Sequence, residues 1–140
     1  MNGGVLRTLL GSCVGLALYD RKHKVAGLAH IVLPASRGPT GLPGKFVDTA
    51  IPLLIRDMEQ LAGATLNPIA KIAGGASMFS TSAERTIGLQ NIEASEQWLN
   101  RLRIPIMARH CGGDSGRRMS LDTRTGRVVV EIVGFDPIEL

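Results

Sequence analysis

The feature that most constrains the fold is a pair of apolar segments separated by a short charged connection. Residues 14–19 and 25–33 consist mainly of apolar residues, and residues 20–24 between them read Asp-Arg-Lys-His-Lys. Two apolar runs joined by a short polar turn are typical of two antiparallel strands. The sequence therefore predicts a β-hairpin over residues 13–33.

The expected register of this hairpin brings a thiol next to an imidazole. If the turn is centred on Arg21 and Lys22, Cys13 lies directly opposite His30. Opposed residues share a face of the sheet, with Cα atoms about 4.5–5.5 Å apart. A shift of one residue would turn His30 away from Cys13. The other face would carry apolar residues and a glycine: Val14, Leu16, Leu18, Val25, Gly27 and Ala29.

A neighbouring cysteine and histidine can perform thiolate chemistry on an amide or an ester. A free cysteine is mostly protonated near neutral pH, because its pKa is about 8.5. A histidine can take that proton, stabilise the thiolate and later protonate the leaving amine. Gly11 and Ser12 leave the backbone open, so nearby amides could bind an oxyanion. The alternative is a buried structural cysteine and a histidine bonded to a carbonyl.

Composition restricts the class of protein. A chain of 140 residues with 44% hydrophobic residues predicts one domain over residues 1–140, with a true core. The absence of a long apolar run or a signal-peptide pattern, together with only two cysteines, predicts a cytoplasmic protein with free thiols. The net charge of +4 favours acidic partners. Few aromatic residues and dispersed basic residues argue against nucleic-acid binding.

The remaining chain is predicted to alternate strands, helices and loops. Glycines 74 and 75 follow a predicted strand and permit a sharp turn, but the pattern of a phosphate-binding loop is absent. The predicted strands are 5–11, 69–73, 105–110, 118–123 and 127–133, the helices are 46–62 and 87–102, and the loops include 34–44 and 80–85.

The second cysteine is a weaker candidate for chemistry. His110 and Cys111 are adjacent, so on a strand their side chains point to opposite faces. His110 is interpreted as a surface residue, a substrate contact or a pH-sensitive group. Cys13, His30, His110 and Cys111 are suitable zinc ligands by type, but their spacing matches no zinc motif. We therefore expect no metal and no cofactor.

Several short motifs occur in order along the chain and together resemble the CheD family of chemoreceptor glutamine deamidases. The resemblance covers residues 5–134, nearly the whole chain. The motifs are residues 8–14 (TLLGSCV), 27–30 (GLAH) with Leu33-Pro34, 71–79 (KIAGGASMF), Ile87-Gly88 with Asn91, Gly112-Gly113 with Gly116-Arg117, and Thr125-Gly126.

The resemblance implies a fold, an activity and partners. The implied fold is α+β, with mostly antiparallel β-sheet layers flanked by helices. The implied activity converts glutamine side chains on the cytoplasmic helices of methyl-accepting chemotaxis receptors to glutamate, without direct membrane insertion. A CheC-type phosphatase is a further possible partner. Cys13 matches the family nucleophile, His30 the base, and Thr8 is the candidate third member, although it lies five residues before Cys13.

Other residues are expected to surround the substrate. Ser12 supplies backbone near the reacting carbonyl, and Gly74, Gly75 and Ser77 line the entrance. Asn91 either contacts the substrate or caps the second helix. Two other functions remain open at this point: a non-catalytic adaptor that binds receptor helices or a CheC-type phosphatase, and a thiol hydrolase for small amides or esters.

Overall fold

The computed structural model describes residues 3–32, 47–77 and 82–140, the side chains of 82–86 excepted. The predicted loop 34–44 lies outside these residues. The described part forms eight strands and two helices, in the order β1 Val5–Leu10, β2 Val14–Asp20, β3 Val25–Ile31, α1 Val47–Ala62, β4 Ile69–Gly74, α2 Ser82–Arg101, β5 Ile106–Cys111, β6 Arg117–Asp122, β7 Val128–Glu131 and β8 Ile138–Glu139.

The strands form two four-stranded sheets that pack face to face. The central sheet has the order β3-β2-β4-β5, and the outer sheet has the order β1-β6-β7-β8. Neighbouring strands are antiparallel except for the parallel pair β4 and β5. Apolar side chains from both sheets fill the space between them. This inter-sheet core contains Leu10, Ala17, Ala73, Met119, Leu121, Val128 and Val130.

The two helices cover the opposite face of the central sheet. Residues from β2, β3, β4 and both helices form the second core. Gly27 on β3 allows α1 to approach, because a Cβ there would lie 2.5 Å from Leu54 Cδ1. The molecule therefore has three layers, and the predicted α+β fold of mostly antiparallel sheets with flanking helices is confirmed.

The predicted hairpin exists, but its predicted register is wrong. His30 pairs with Gly15 rather than with Cys13. The connection has four residues, 21–24, because the buried Asp20 carboxylate accepts hydrogen bonds from the backbone N–H of His23 at 2.8 Å and of Asn67 at 2.7 Å. The shift is two residues, and side chains alternate with a period of two. Cys13 and His30 therefore keep a common face.

The helices confirm one predicted boundary and correct another. Helix α1 ends before Gly63, whose N–H bonds to the carbonyl of Glu59 and whose φ is 65°. Helix α2 begins at Ser82, so the predicted loop over 80–85 is wrong from residue 82 onward. Its first turn is polar in sequence, and hydrophobic periodicity detects only the apolar part of a helix. Neither α1 nor α2, the two helices in the described ranges, is long and apolar enough to cross a membrane.

Candidate active site

Cys13 lies in a three-residue loop that passes from one sheet to the other. We call residues 11–13 the nucleophile loop; it joins β1 of the outer sheet to β2 of the central sheet. The cysteine is half-buried and packs against the inter-sheet core. This burial raises the pKa of the Cys13 thiol. The residue is therefore placed at the rim of the sandwich, partly accessible and protonated at rest.

His30 lies on the same face of the central sheet, diagonally across from Cys13. It pairs with Gly15, two residues beyond the cysteine. Diagonal neighbours in antiparallel strands are about 7–8 Å apart, which long and aromatic side chains can span. His30 is exposed as a residue, but partial desolvation of its ring lowers its pKa. Both shifts favour a neutral thiol beside a neutral imidazole.

Thr8 connects the outer sheet to this histidine. Its Oγ1 lies 2.5 Å from His30 Nδ1, a hydrogen bond between residues 22 positions apart. Thr8 occupies the same face of β1 as Leu10, which is buried between the sheets. The structure thus places three residues predicted for one site on facing sides of the two sheets, with a direct contact between Thr8 and His30.

Asn91 is buried in the middle of α2 and holds the backbone on both sides of the site. Its side-chain Nδ2 donates to the carbonyls of Ser12 at 3.1 Å and Val32 at 3.0 Å. The expectation that Asn91 caps the second helix is wrong, because α2 begins nine residues earlier, at Ser82. The sequence identified Asn91 as a candidate site residue, but it did not predict these two hydrogen bonds to backbone carbonyls.

Gly74 and Gly75 support the nucleophile loop from the end of β4. Their φ values of 104° and 70° lie where side chains are strained. A Cβ on Gly74 would collide with the carbonyl oxygen of Cys13. Gly75 N–H donates to that same carbonyl at 2.8 Å, and Ala76 N–H donates to the carbonyl of Gly11 at 2.8 Å. Glycine is required here for close backbone approach.

Ser77 and Arg117 extend this support to a second loop. Ser77 N–H donates to the carbonyl of Gly113 at 2.9 Å, and its buried Oγ has no hydrogen-bond partner among the described residues. The buried Arg117 side chain donates to the carbonyl of His110 at 2.7 Å, to His110 Nδ1 at 2.9 Å and to the carbonyl of Ser115 at 3.0 Å. Sequence reasoning missed this role, since arginine is usually a surface residue; its only signal was the Gly116-Arg117 motif.

Cys111 is separate from this site. Its side chain packs against the core beneath the helices, and burial raises its pKa to about 11. Both cysteines are free thiols. Within residues 3–32, 47–77 and 82–140, no group of three or more His, Cys, Asp or Glu residues is arranged to hold a metal ion. Of the two thiols, Cys13 is therefore the one that shares a face of the central sheet with His30.

An open groove of about 750 Å³ runs beside the nucleophile loop. Its lining includes the backbone of Gly11 and the exposed apolar side chains of Leu9, Val133 and Phe135. Arg118 and Glu131 contribute charge at its wall. The groove is formed by the outer sheet, the loop between β5 and β6 and the segment after β7, and its lining includes none of Thr8, Cys13 and His30.

Comparisons with known proteins point to one family. A family model described as "CheD chemotactic sensory transduction" matches residues 32–132. A probable chemoreceptor glutamine deamidase CheD of Clostridium botulinum (strain Alaska E43 / Type E3) is 49% identical over 143 residues, covering 99% of this chain and 88% of the relative. The protein of the same name from strain Eklund 17B / Type B is 51% identical over 136 residues, covering 94% and 84%. One from Methanococcus vannielii is 42% identical over 127 residues, covering 89% and 82%.

The two kinds of match differ in how they cover the site. The family model begins after His30, so it does not include the hairpin pair. The alignment that covers 99% of the chain extends across Thr8, Cys13 and His30. Together the matches span both the candidate site and the supporting loops.

Proposed function

Because this chain belongs to the CheD family, we propose that it deamidates chemoreceptor glutamines with Cys13 as nucleophile and His30 as general base. Its reaction is the hydrolysis of a glutamine side chain to glutamate and ammonia, a protein-glutamine glutaminase activity, and its substrates are chemotaxis receptors. The observation that carries the residue assignment is the 2.5 Å contact of Thr8 Oγ1 with His30 Nδ1, on the face that Cys13 shares.

The first half-reaction forms a thioester. The raised pKa of Cys13 and the lowered pKa of His30 mean that the resting pair is neutral. His30 Nε2 therefore removes the thiol proton as sulfur attacks the glutamine side-chain carbonyl. The tetrahedral oxyanion is held by backbone N–H groups near Cys13. The imidazolium then protonates the departing nitrogen, the C–N bond breaks, and ammonia leaves.

The second half-reaction uses the same residues. His30 removes a proton from water, the resulting hydroxide attacks the thioester carbonyl, and the C–S bond breaks. The sulfur recovers its proton from the imidazolium, which regenerates the neutral pair and leaves glutamate. Water and amide are thus converted to acid and ammonia with no other reactant.

Thr8 determines which nitrogen of His30 is free for this work. When Nδ1–H donates to Thr8 Oγ1, the proton of the neutral ring is on Nδ1 and the lone pair is on Nε2. The hydrogen bond also limits rotation of the ring. We therefore assign Thr8 to orientation of the base, by analogy with the third member of hydrolase triads.

The expected substrate-binding residues divide by burial. Gly74, Gly75 and Asn91 are buried, so we assign them to support of the nucleophile loop. Ser12 is half-buried and remains a proposed substrate contact, whereas the Oγ of Ser77 is buried, so we assign Ser77 to support of the loop 112–116 through its N–H bond to the Gly113 carbonyl. A CheC-type phosphatase and a cytoplasmic location also remain proposals, the second supported by the free thiols.

The test is the intact mass of receptor cytoplasmic fragments after incubation with the protein. Each converted glutamine adds about one dalton, because hydrolysis through the thioester replaces an amino group by a hydroxyl. We expect this gain with the parent and with Cys111→Ala, and none with Cys13→Ala.

One outcome tests the nucleophile, and two others separate the candidate functions. Conversion by Cys13→Ala would refute the nucleophile assignment. No conversion by the folded parent on several folded fragments would favour an adaptor. Turnover of free glutamine analogues without receptor conversion would favour a hydrolase of small amides.

A further inference from the structure

Asn91 joins the two strands of the active site from the far side of the central sheet. It belongs to α2, is fully buried, and donates to the carbonyl of the residue before Cys13 and to that of Val32, two residues after His30. Because the amide is buried within the helix layer, it is not accessible to a substrate. Its effect on the reaction must pass through the backbone it holds.

All three carbonyls of the nucleophile loop accept hydrogen bonds. The carbonyl of Ser12 is held by Asn91, while those of Gly11 and Cys13 are held by the N–H groups of Ala76 and Gly75. A peptide plane cannot rotate freely when its carbonyl is fixed. The backbone of the nucleophile loop is therefore held by a hydrogen bond at each of its three residues, up to the start of β2.

The Ser12 carbonyl determines where the N–H of Cys13 points. The described residues contain no cis peptide bond, so this C=O and the next N–H point in opposite directions from the same planar unit. The carbonyl points toward α2, on the helix side of the central sheet. The N–H of Cys13 therefore points toward the sandwich side, where the Cys13 side chain packs.

That direction is the one an oxyanion needs. When Sγ bonds to a carbonyl carbon, the oxygen on that carbon develops negative charge close to the nucleophile's own N–H. We propose that Asn91 is a positioning residue that aims the N–H of Cys13 at this oxyanion. The proposal rests on the Cys13 mechanism above. It predicts an effect on turnover rather than on substrate binding, because the charge exists only in the transition state.

The test compares two reactions of the same thiol. Deamidation passes through an oxyanion, whereas alkylation by iodoacetamide at a saturated carbon does not. Both are measured in a Cys111→Ala background, where Cys13 is the remaining thiol. The variants are Asn91→Leu, which keeps approximate size without donors, and Asn91→Ala, which removes the side-chain amide. Asn100→Leu, at an exposed position of the same helix, is the matched control.

We expect Asn91→Leu to lose up to about 100- to 1,000-fold in kcat, the effect of losing one oxyanion donor outright, because the N–H of Cys13 remains but its direction is no longer held. In Asn91→Leu, KM should stay at the parental value, and so should the rate and the pH profile of Cys13 alkylation. The control Asn100→Leu should also keep the parental KM, alkylation rate and pH profile. A folded Asn91 variant with parental kcat would overturn the proposal. So would a parallel loss of alkylation and deamidation, because Asn91 would then only maintain the fold.

The experiment also separates this proposal from the proposed function. If Asn91→Leu fails to fold by circular dichroism, the same comparison in Asn91→Ala decides the question. If the parent alkylates at Cys13 but converts no receptor glutamine, the proposed function fails before Asn91 is considered.

Discussion

Replacing Thr8 with valine tests whether the contact between the two sheets contributes to catalysis. Valine has nearly the same shape as threonine and suits a β-strand, but it lacks the hydroxyl that lies 2.5 Å from His30 Nδ1. The fold should be retained, because Thr8 lies at the half-buried rim. The ring of His30 would lose the acceptor that selects its tautomer and orientation.

The magnitude follows from the charge that His30 acquires during the reaction. A hydrogen bond to a charged group contributes about 1.5–3 kcal/mol. His30 is exposed, so water partly replaces the missing hydroxyl and the lower end of that range applies. A loss of about 1.5 kcal/mol of transition-state stabilisation lowers kcat/KM roughly tenfold.

The assay is ammonia release from receptor fragments, with thermal unfolding as the check on folding. Thr8→Ser, which retains a hydroxyl, should recover most of the lost rate. Thr65→Val, at an exposed position between α1 and β4, should behave as the parent. Parental activity in folded Thr8→Val, or equal loss in Thr8→Val and Thr8→Ser, would refute the orienting role of Thr8.

Two further predictions concern stability. Gly74→Ala should lower the free energy of unfolding by about 1–3 kcal/mol through backbone strain, and further through the collision with the Cys13 carbonyl. Gly112→Ala, at a φ of 81° with open space around it, has the strain without a collision and is the control in urea unfolding. Equal losses in the two variants would exclude the collision. The pKa of Cys111 is about 11 in the folded protein and about 8.5 in the unfolded chain. The neutral thiol therefore contributes fully to folding stability below about pH 8.5, and this contribution is lost as the pH rises toward 11. This amounts to roughly 2–3 kcal/mol, and urea curves of the parent and Cys111→Ala with the same pH dependence between 7 and 11 would contradict it.

Much of the local structure could be predicted because burial leaves a periodic record in the sequence. Alternation identified the two faces of the β2–β3 hairpin, and the three- to four-residue period identified α1. The short strand β8 and the start of α2 were missed. A strand of two residues is too short to show a periodic pattern, and a polar first turn contains too few apolar residues to show one.

The candidate site was predictable only in part. Cys13 and His30 were placed on one face from the sequence, and Thr8 entered through the family resemblance. The register was wrong by two residues, because a two-residue shift leaves every side chain on the same face and is invisible to alternation. The Asp20 carboxylate, bonded to the backbone of Asn67, helps to set the true turn.

Residue type and local periodicity thus predicted many of the apolar core positions, the candidate residues for chemistry and the side of a strand on which they lie, but not a buried polar residue such as Arg117. The tertiary structure alone decided that Thr8 meets His30 across two sheets, that Asn91 holds the Ser12 carbonyl, and that Arg117 holds the loop beyond β5. Such contacts join segments distant in sequence. They depend on how layers stack, which no local pattern records.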